Sequence, residues 1–233
     1  MLKRNILVIV VYIATLFAVI PLAPLARTLF PLTFVEAVIY STIISFIIGL
    51  FITYQLLKKD IRAEKERNEA GVTTKRIVLW SIYGLVLAYG AQIIANIIET
   101  SLFNVELGSE NTFMIMDISR QFPFFMLVPM FIAPILEELV FRKVLFGSLY
   151  KRTNFFIAAI VSAFIFGIIH GEPEHLLIYA SMGLVFSYVY VKTKRIIVPI
   201  IVHMAMNSVT VIAQFSIDPE QLEQLQNGFI HLL

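Results

Sequence analysis

Seven apolar runs, at residues 6–22, 32–57, 77–98, 122–149, 155–170, 175–191 and 196–215, dominate this chain. A helix crosses the hydrocarbon core of a bilayer in about 20 apolar residues, and it satisfies its own backbone N–H and C=O groups on the way. Of the 233 residues, 59% are hydrophobic and only 15% charged, against about 25% charged in soluble domains. A water-soluble fold of this length could not cover so much apolar surface. The expected fold is therefore all-α: a polytopic transmembrane helix bundle of about seven spans, one domain over residues 1–233. The runs 155–170 and 175–191 are short, and tilt, local thinning or a re-entrant path accommodates them. Met1 to Asn5 is basic and precedes an apolar run, as in a signal peptide. Pro21 and Pro24, however, occupy position −3 of the two possible Ala cleavage sites, so the segment reads as an uncleaved first span.

The charges give this layout a direction. With the N-terminus inside, fifteen of the eighteen basic residues fall on cytoplasmic segments: Lys3 and Arg4, the cluster from Lys58 to Arg76, Lys143 with Lys151 and Arg152, and Lys192 with Lys194 and Arg195. Arg27 and Arg120 lie outside, and Arg142 lies within a span. This bias predicts an N-in, C-out topology. The cytoplasmic segment 58–76 is charged and mixed in sign, which suits a solvated helix or a connector. In the tail, 216–233, Leu222, Leu225, Phe229 and Leu232 recur at roughly helical spacing, as in a short interfacial helix. The basic segments are explained by topology, and no nucleic-acid module is visible. The absence of cysteine excludes disulfides, thiol chemistry and Cys-based zinc sites.

Charged and polar residues inside spans cost several kcal/mol each, and such residues usually face the bundle interior and carry function. Here they are Glu137, Glu138 and Arg142 in the fourth run, His170 at the end of the fifth, and His203 and Asn207 in the seventh. Glu138 and Arg142 are spaced i,i+4 and can pair, while Glu137 points about 100° away from Glu138. His203 and Asn207 are also i,i+4 and share one stripe. Counted along each helix from its inner turn at 1.5 Å per residue, Glu137, His170 and Asn207 lie about 20, 24 and 18 Å deep. Three antiparallel spans thus bring a carboxyl, an imidazole and an amide to a similar level. Pro134 should kink the fourth span one turn before Glu137, and Gly167 should let another helix approach near His170. Glu172, Glu174 and His175, beside Gly171 and Pro173, read as boundary residues, and Tyr179, Tyr188 and Tyr190 as ordinary span and interface residues.

A Glu and a His at one polar pocket can activate a water for attack on a carbonyl. A second His and an Asn opposite can donate hydrogen bonds to the resulting oxyanion. That set hydrolyses a peptide bond without Ser, Cys or metal, and Arg142 paired with Glu138 would brace the helix face. Two His and a Glu could instead hold zinc; HExxH is absent, and the spacing neither supports nor rejects a three-helix metal site.

These residues also form a pattern. Glu137-Glu138-Leu-Val-Phe-Arg142 resembles the EExxxR motif of the CAAX protease and bacteriocin-processing family (CPBP, or Abi), which includes the type II CAAX prenyl endopeptidases. Phe166-xxx-His170 is similar to its second motif and His203-xxx-Asn207 to its third, so the resemblance covers about residues 120–210. It implies an intramembrane glutamic endopeptidase with no metal cofactor, in which Glu137 and His170 activate the water. It further implies that His203 and Asn207 stabilise the oxyanion and that Glu138 and Arg142 support the site. The expected partners are the lipid bilayer and a peptide or protein substrate in or at the membrane, and the expected location is a bacterial cell membrane. Two alternatives stand beside this reading. One is a non-catalytic membrane regulator or bacteriocin-immunity protein. The other is a transporter using the buried Glu and His as a relay, for which the paired broken helices or repeated halves of that class are missing.

Overall fold

The computed structural model describes residues 2–68, 73–106 and 108–216. Each of the seven apolar runs is helical there. The helices are α1 (Leu2–Phe17), α2 (Val19–Leu29), α3 (Phe34–Asn68), α4 (Thr74–Phe103), α5 (Glu110–Gln121), α6 (Pro123–Tyr150), α7 (Phe155–Ile169), α8 (Leu176–Thr193) and α9 (Ile197–Ser216). A 3₁₀ turn, Pro173–His175, leads into α8, and the described residues contain no strand.

Five of these units are long and apolar enough to cross a membrane singly: α3, α4, α6, α8 with its leading turn, and α9. The first run is not one straight span over 6–22. It breaks at Ala18, and α1 and α2 meet at 49° to make a sixth crossing if taken together. At 15 residues, α7 is shorter than a full crossing. The structure thus supports five or six crossings, against about seven in the sequence reading. The charged segment 58–76 is helical as far as Asn68, because α3 simply continues into it. Helix resumes at Thr74, where the Thr73 hydroxyl accepts from Arg76 N–H. Residues 69–72, and the tail 217–233 expected as an interfacial helix, lie outside the described residues.

The distribution of side chains suits a lipid solvent. Large apolar groups cover the outside, Phe124 at 81% exposed and Phe156 at 73% among them, while Glu138, Arg142, Ser119, Ser162 and Ser187 are fully enclosed. In hydrocarbon a polar group without a partner is costly, and Ser119, Ser162 and Ser187 each donate to a backbone carbonyl. α4 and α7 flank α8, α9 packs on α4, α6 and α8, and α1 and α2 lie along α3. α1 belongs to the core: Val8 and Tyr12 are buried, and Tyr12 meets Phe141 of α6 edge-on at 5.6 Å. Gly183 of α8 sits against Ala163 of α7, where an added Cβ would lie 3.0 Å from the Ala163 Cα.

The loops sort onto two ends. At one end Arg4 pairs with Asp60, Lys143 pairs with Glu64, and Asn5 donates to Ser148 at 2.9 Å. Glu64 also accepts from Tyr190 OH and from Ile196 N–H, tying α3 to α8 and to the start of α9. At the other end Glu99 accepts from the N–H groups of Leu177 and Ile178 and meets His175 Nδ1 at 3.2 Å, while Arg120 donates to the Gln214 carbonyl. The segments grouped as cytoplasmic by their charge therefore meet at one end of the bundle.

Candidate active site

α6 carries the two glutamates, and its backbone is unusual where they sit. The turn Val128–Ile132 is π-helical, α-helix follows over Ala133–Glu138, and a second π-helical stretch runs Leu139–Phe146. π-turns inside α-helices are rare and concentrate at functional sites. The first one answers the two prolines. Ala133 N–H donates to the Val128 carbonyl, five residues back. In that register the donor for the Pro129 carbonyl would be Pro134, which has no N–H. Asn207 of α9 supplies it instead, its Nδ2 donating to the Pro129 carbonyl at 2.9 Å.

Glu138 is fully buried and joins two helices. Its Oε2 lies 3.2 Å from Arg142 Nε, and its Oε1 accepts from His203 Nδ1 at 3.0 Å. Neither terminal guanidinium nitrogen of Arg142 finds a hydrogen-bond partner among the described residues. The guanidinium carbon instead lies 4.5, 5.1 and 5.9 Å from the ring centroids of Phe166, Phe186 and Phe141. Ring faces attract a desolvated cation, so the aromatic rings of three helices hold the arginine.

With Nδ1 on Glu138, the other nitrogen of His203 faces Glu137: Nε2 to Oε2 is 3.7 Å. Phe186 stacks on the His203 ring at 4.9 Å. The side chain of Glu137 keeps 14% of its surface open, whereas Glu138 has none. His170 caps the C-terminal end of α7. Its Nδ1–H donates to the Phe166 carbonyl at 2.8 Å, which leaves Nε2 as the free lone pair. Glu137 and His203 are its titratable neighbours, together with Glu172. The structure thus links Glu137, Glu138, Arg142, His203 and Asn207 by direct contacts within α6 and between α6 and α9. His170 stands beside them on α7.

The reading of Glu172, His175 and Tyr179 needs revision, while Glu174 is exposed in the turn as a boundary residue should be. Glu172 and His175 are buried and bonded, not merely boundary residues. Glu172 accepts from Ser109 Oγ, from Asn111 N–H at 2.9 Å and from Tyr179 OH. Tyr179 is no ordinary span residue, because its ring lies flat on His170 at 4.0 Å. The sequence signal for these contacts was the pair of breakers, Gly171 and Pro173, which brings α7 and α8 back together beside His170. Among the described residues no group of three His, Cys, Asp or Glu side chains converges as a metal site would require.

Comparison with known proteins shows the family. The family model for Rce1-like type II CAAX prenyl endopeptidases matches residues 119–209, the stretch that holds all six site residues. The membrane-embedded CAAX protease MroQ of Staphylococcus aureus (strain USA300) is 35% identical over 204 residues, covering 84% of this chain and 82% of its own. The chain belongs to the Rce1-like CAAX protease family. A second relative is YdiL of Bacillus subtilis (strain 168), named provisionally as a membrane peptidase. It is 41% identical over 183 residues, covering 78% of this chain and 75% of its own. No solved structure matches the chain significantly. Membership in this family supports a peptidase role, and the relatives place the chain among bacterial membrane proteins.

Proposed function

We propose that this member of the family is an intramembrane endopeptidase that hydrolyses a peptide bond with water activated by Glu137 and His170. The supporting observation is the contact chain Arg142–Glu138–His203–Glu137, sealed at Arg142 and open at Glu137, with the lone pair of His170 Nε2 left unused beside it. The mechanism requires Glu137 as the carboxylate and His203 as the imidazolium in the resting state. With Glu137 and Glu138 both ionised beside one guanidinium, an imidazolium at His203 would complete the charge balance. Glu137 is then ionised and ready to accept a proton from water. His203 Nδ1–H is committed to Glu138, and its Nε2–H is available to the oxyanion.

The steps follow. Glu137 removes a proton from a water that also donates to His170 Nε2. The hydroxide adds to the peptide carbonyl, and the oxygen that gains charge is met by His203 Nε2–H and by the second N–H of Asn207. Glu137 then passes the proton to the leaving amine. Asn207 holds its place because its first N–H is tied to Pro129. The proposal uses no metal. The substrate is a peptide or a protein segment lying in or at the membrane.

The test compares membrane proteomes and released peptides between a wild-type strain and one carrying Glu137→Gln. An endopeptidase gives peptides, or shortened membrane proteins, that vanish with the substitution. A regulator, immunity factor or transporter acting through the same bundle leaves those populations unchanged, and that result would refute the proposal.

A further inference from the structure

Tyr179 is outside the six residues of the proposed mechanism, yet it is the surface on which His170 rests. The two rings are nearly parallel, 23° apart with centroids at 4.0 Å. Phe166 closes on the imidazole from its edge at 4.6 Å, and the Phe166 carbonyl holds Nδ1. The imidazole thus has one anchor in its plane and one against its face, so it cannot rotate without losing both. Tyr179 is itself held. It is 9% exposed, and its hydroxyl donates to Glu172 Oε2. Glu172 is fixed in turn by Ser109 and the Asn111 N–H at the start of α5. Gly167 permits the approach: a Cβ there would lie 2.6 Å from Leu176 Cδ1 and 3.5 Å from Tyr179 Cβ.

We infer that Tyr179 is a positioning residue for His170. Its ring, anchored by Glu172, keeps the imidazole plane fixed so that Nε2 holds one direction. This inference rests on the proposed part of His170 in hydrolysis. A residue that acts by orienting another should lower kcat and leave KM nearly unchanged.

The test uses the full chain in detergent, with a quenched fluorescent peptide selected from a library by cleavage with the wild-type protein. Tyr179→Leu is expected to lose roughly 10–100-fold in kcat, with KM little altered, whereas Tyr179→Phe keeps the stack and most of the turnover. Histidine-labelled protein gives an independent readout. The chain has four histidines, and the His170 signals are assigned by their loss in His170→Gln. The His170 ring protons should resonate upfield in the wild type and in Tyr179→Phe, and move downfield in Tyr179→Leu. Wild-type kcat in Tyr179→Leu, with His170→Gln inactive, would overturn the positioning role alone. Wild-type turnover in His170→Gln would remove the hydrolytic reading and this inference with it. Should Tyr179→Leu not fold, the wild-type spectrum decides: through-space contacts between the two rings are expected, and their absence overturns the inference.

Discussion

Arg142 carries a positive charge into a fully buried site, and among the described residues its ion pair is with Glu138. Removing one partner of such a pair leaves the other charge buried, at a cost on the order of 3–5 kcal/mol. Arg142→Met and Glu138→Gln should each lower the unfolding midpoint in detergent, and the double substitution should lower it by less than the two singles summed. Strict additivity would mean that the pair carries no coupling. Asn207 has two tasks, so Asn207→Ala should show two losses. Turnover falls about 10²–10³-fold for a lost oxyanion donor. Stability falls by about 1–3 kcal/mol because the Pro129 carbonyl is left without a donor. Turnover measured beside an unfolding curve separates the two, and unchanged stability would contradict the Pro129 bond. The Glu138–Arg142 pairing was legible in the sequence because i,i+4 spacing is local. The Glu138–His203 bond, the phenylalanine cage and the Asn207–Pro129 bond were not, because each depends on how α6, α7, α8 and α9 are rotated against one another.

Helix identity followed from hydropathy with few surprises. The bend between α1 and α2 and the π-turns of α6 did not, since both arise from packing and from how the prolines are accommodated. Pro134 was expected to kink its helix; the structure answers with a π-turn just before it. The junction of α5, α7 and α8 at Glu172 gives a pH test outside the spans. Burial alone would push this carboxyl up. The hydrogen bonds from Asn111 N–H, Tyr179 and Ser109, with the nearby His175, outweigh it and hold the group below a free glutamate's 4.5. A carboxyl lowered in the folded state stabilises that state above its unfolded pKa, and the gain is lost as pH falls through the folded value. The wild type should therefore melt above Glu172→Gln at neutral pH, and the gap should close only below about pH 4.5. Melting curves of both proteins down to about pH 3 check this, and a gap that widens in acid would reverse the assignment.

At the scale of the molecule, the positive-inside rule, applied to the end where Arg4, Lys143 and the basic stretch of α3 meet, predicts that this end faces the cytoplasm. A reporter active only in the cytoplasm, fused after the last residue, should stay silent, and a strong signal would reverse the orientation. The family belonged to the legible part as well, because three motifs in order sit on three apolar runs. The central claim is that Glu137 is the base that activates water. Single-turnover cleavage of a quenched fluorescent transmembrane peptide in liposomes, with binding scored separately, tests it most directly. Glu137→Gln keeps the shape and removes the base. It should bind the peptide as the wild type does and cut it at least roughly 10²–10⁴-fold more slowly. A Glu137→Gln protein that cuts at the wild-type rate would contradict the account.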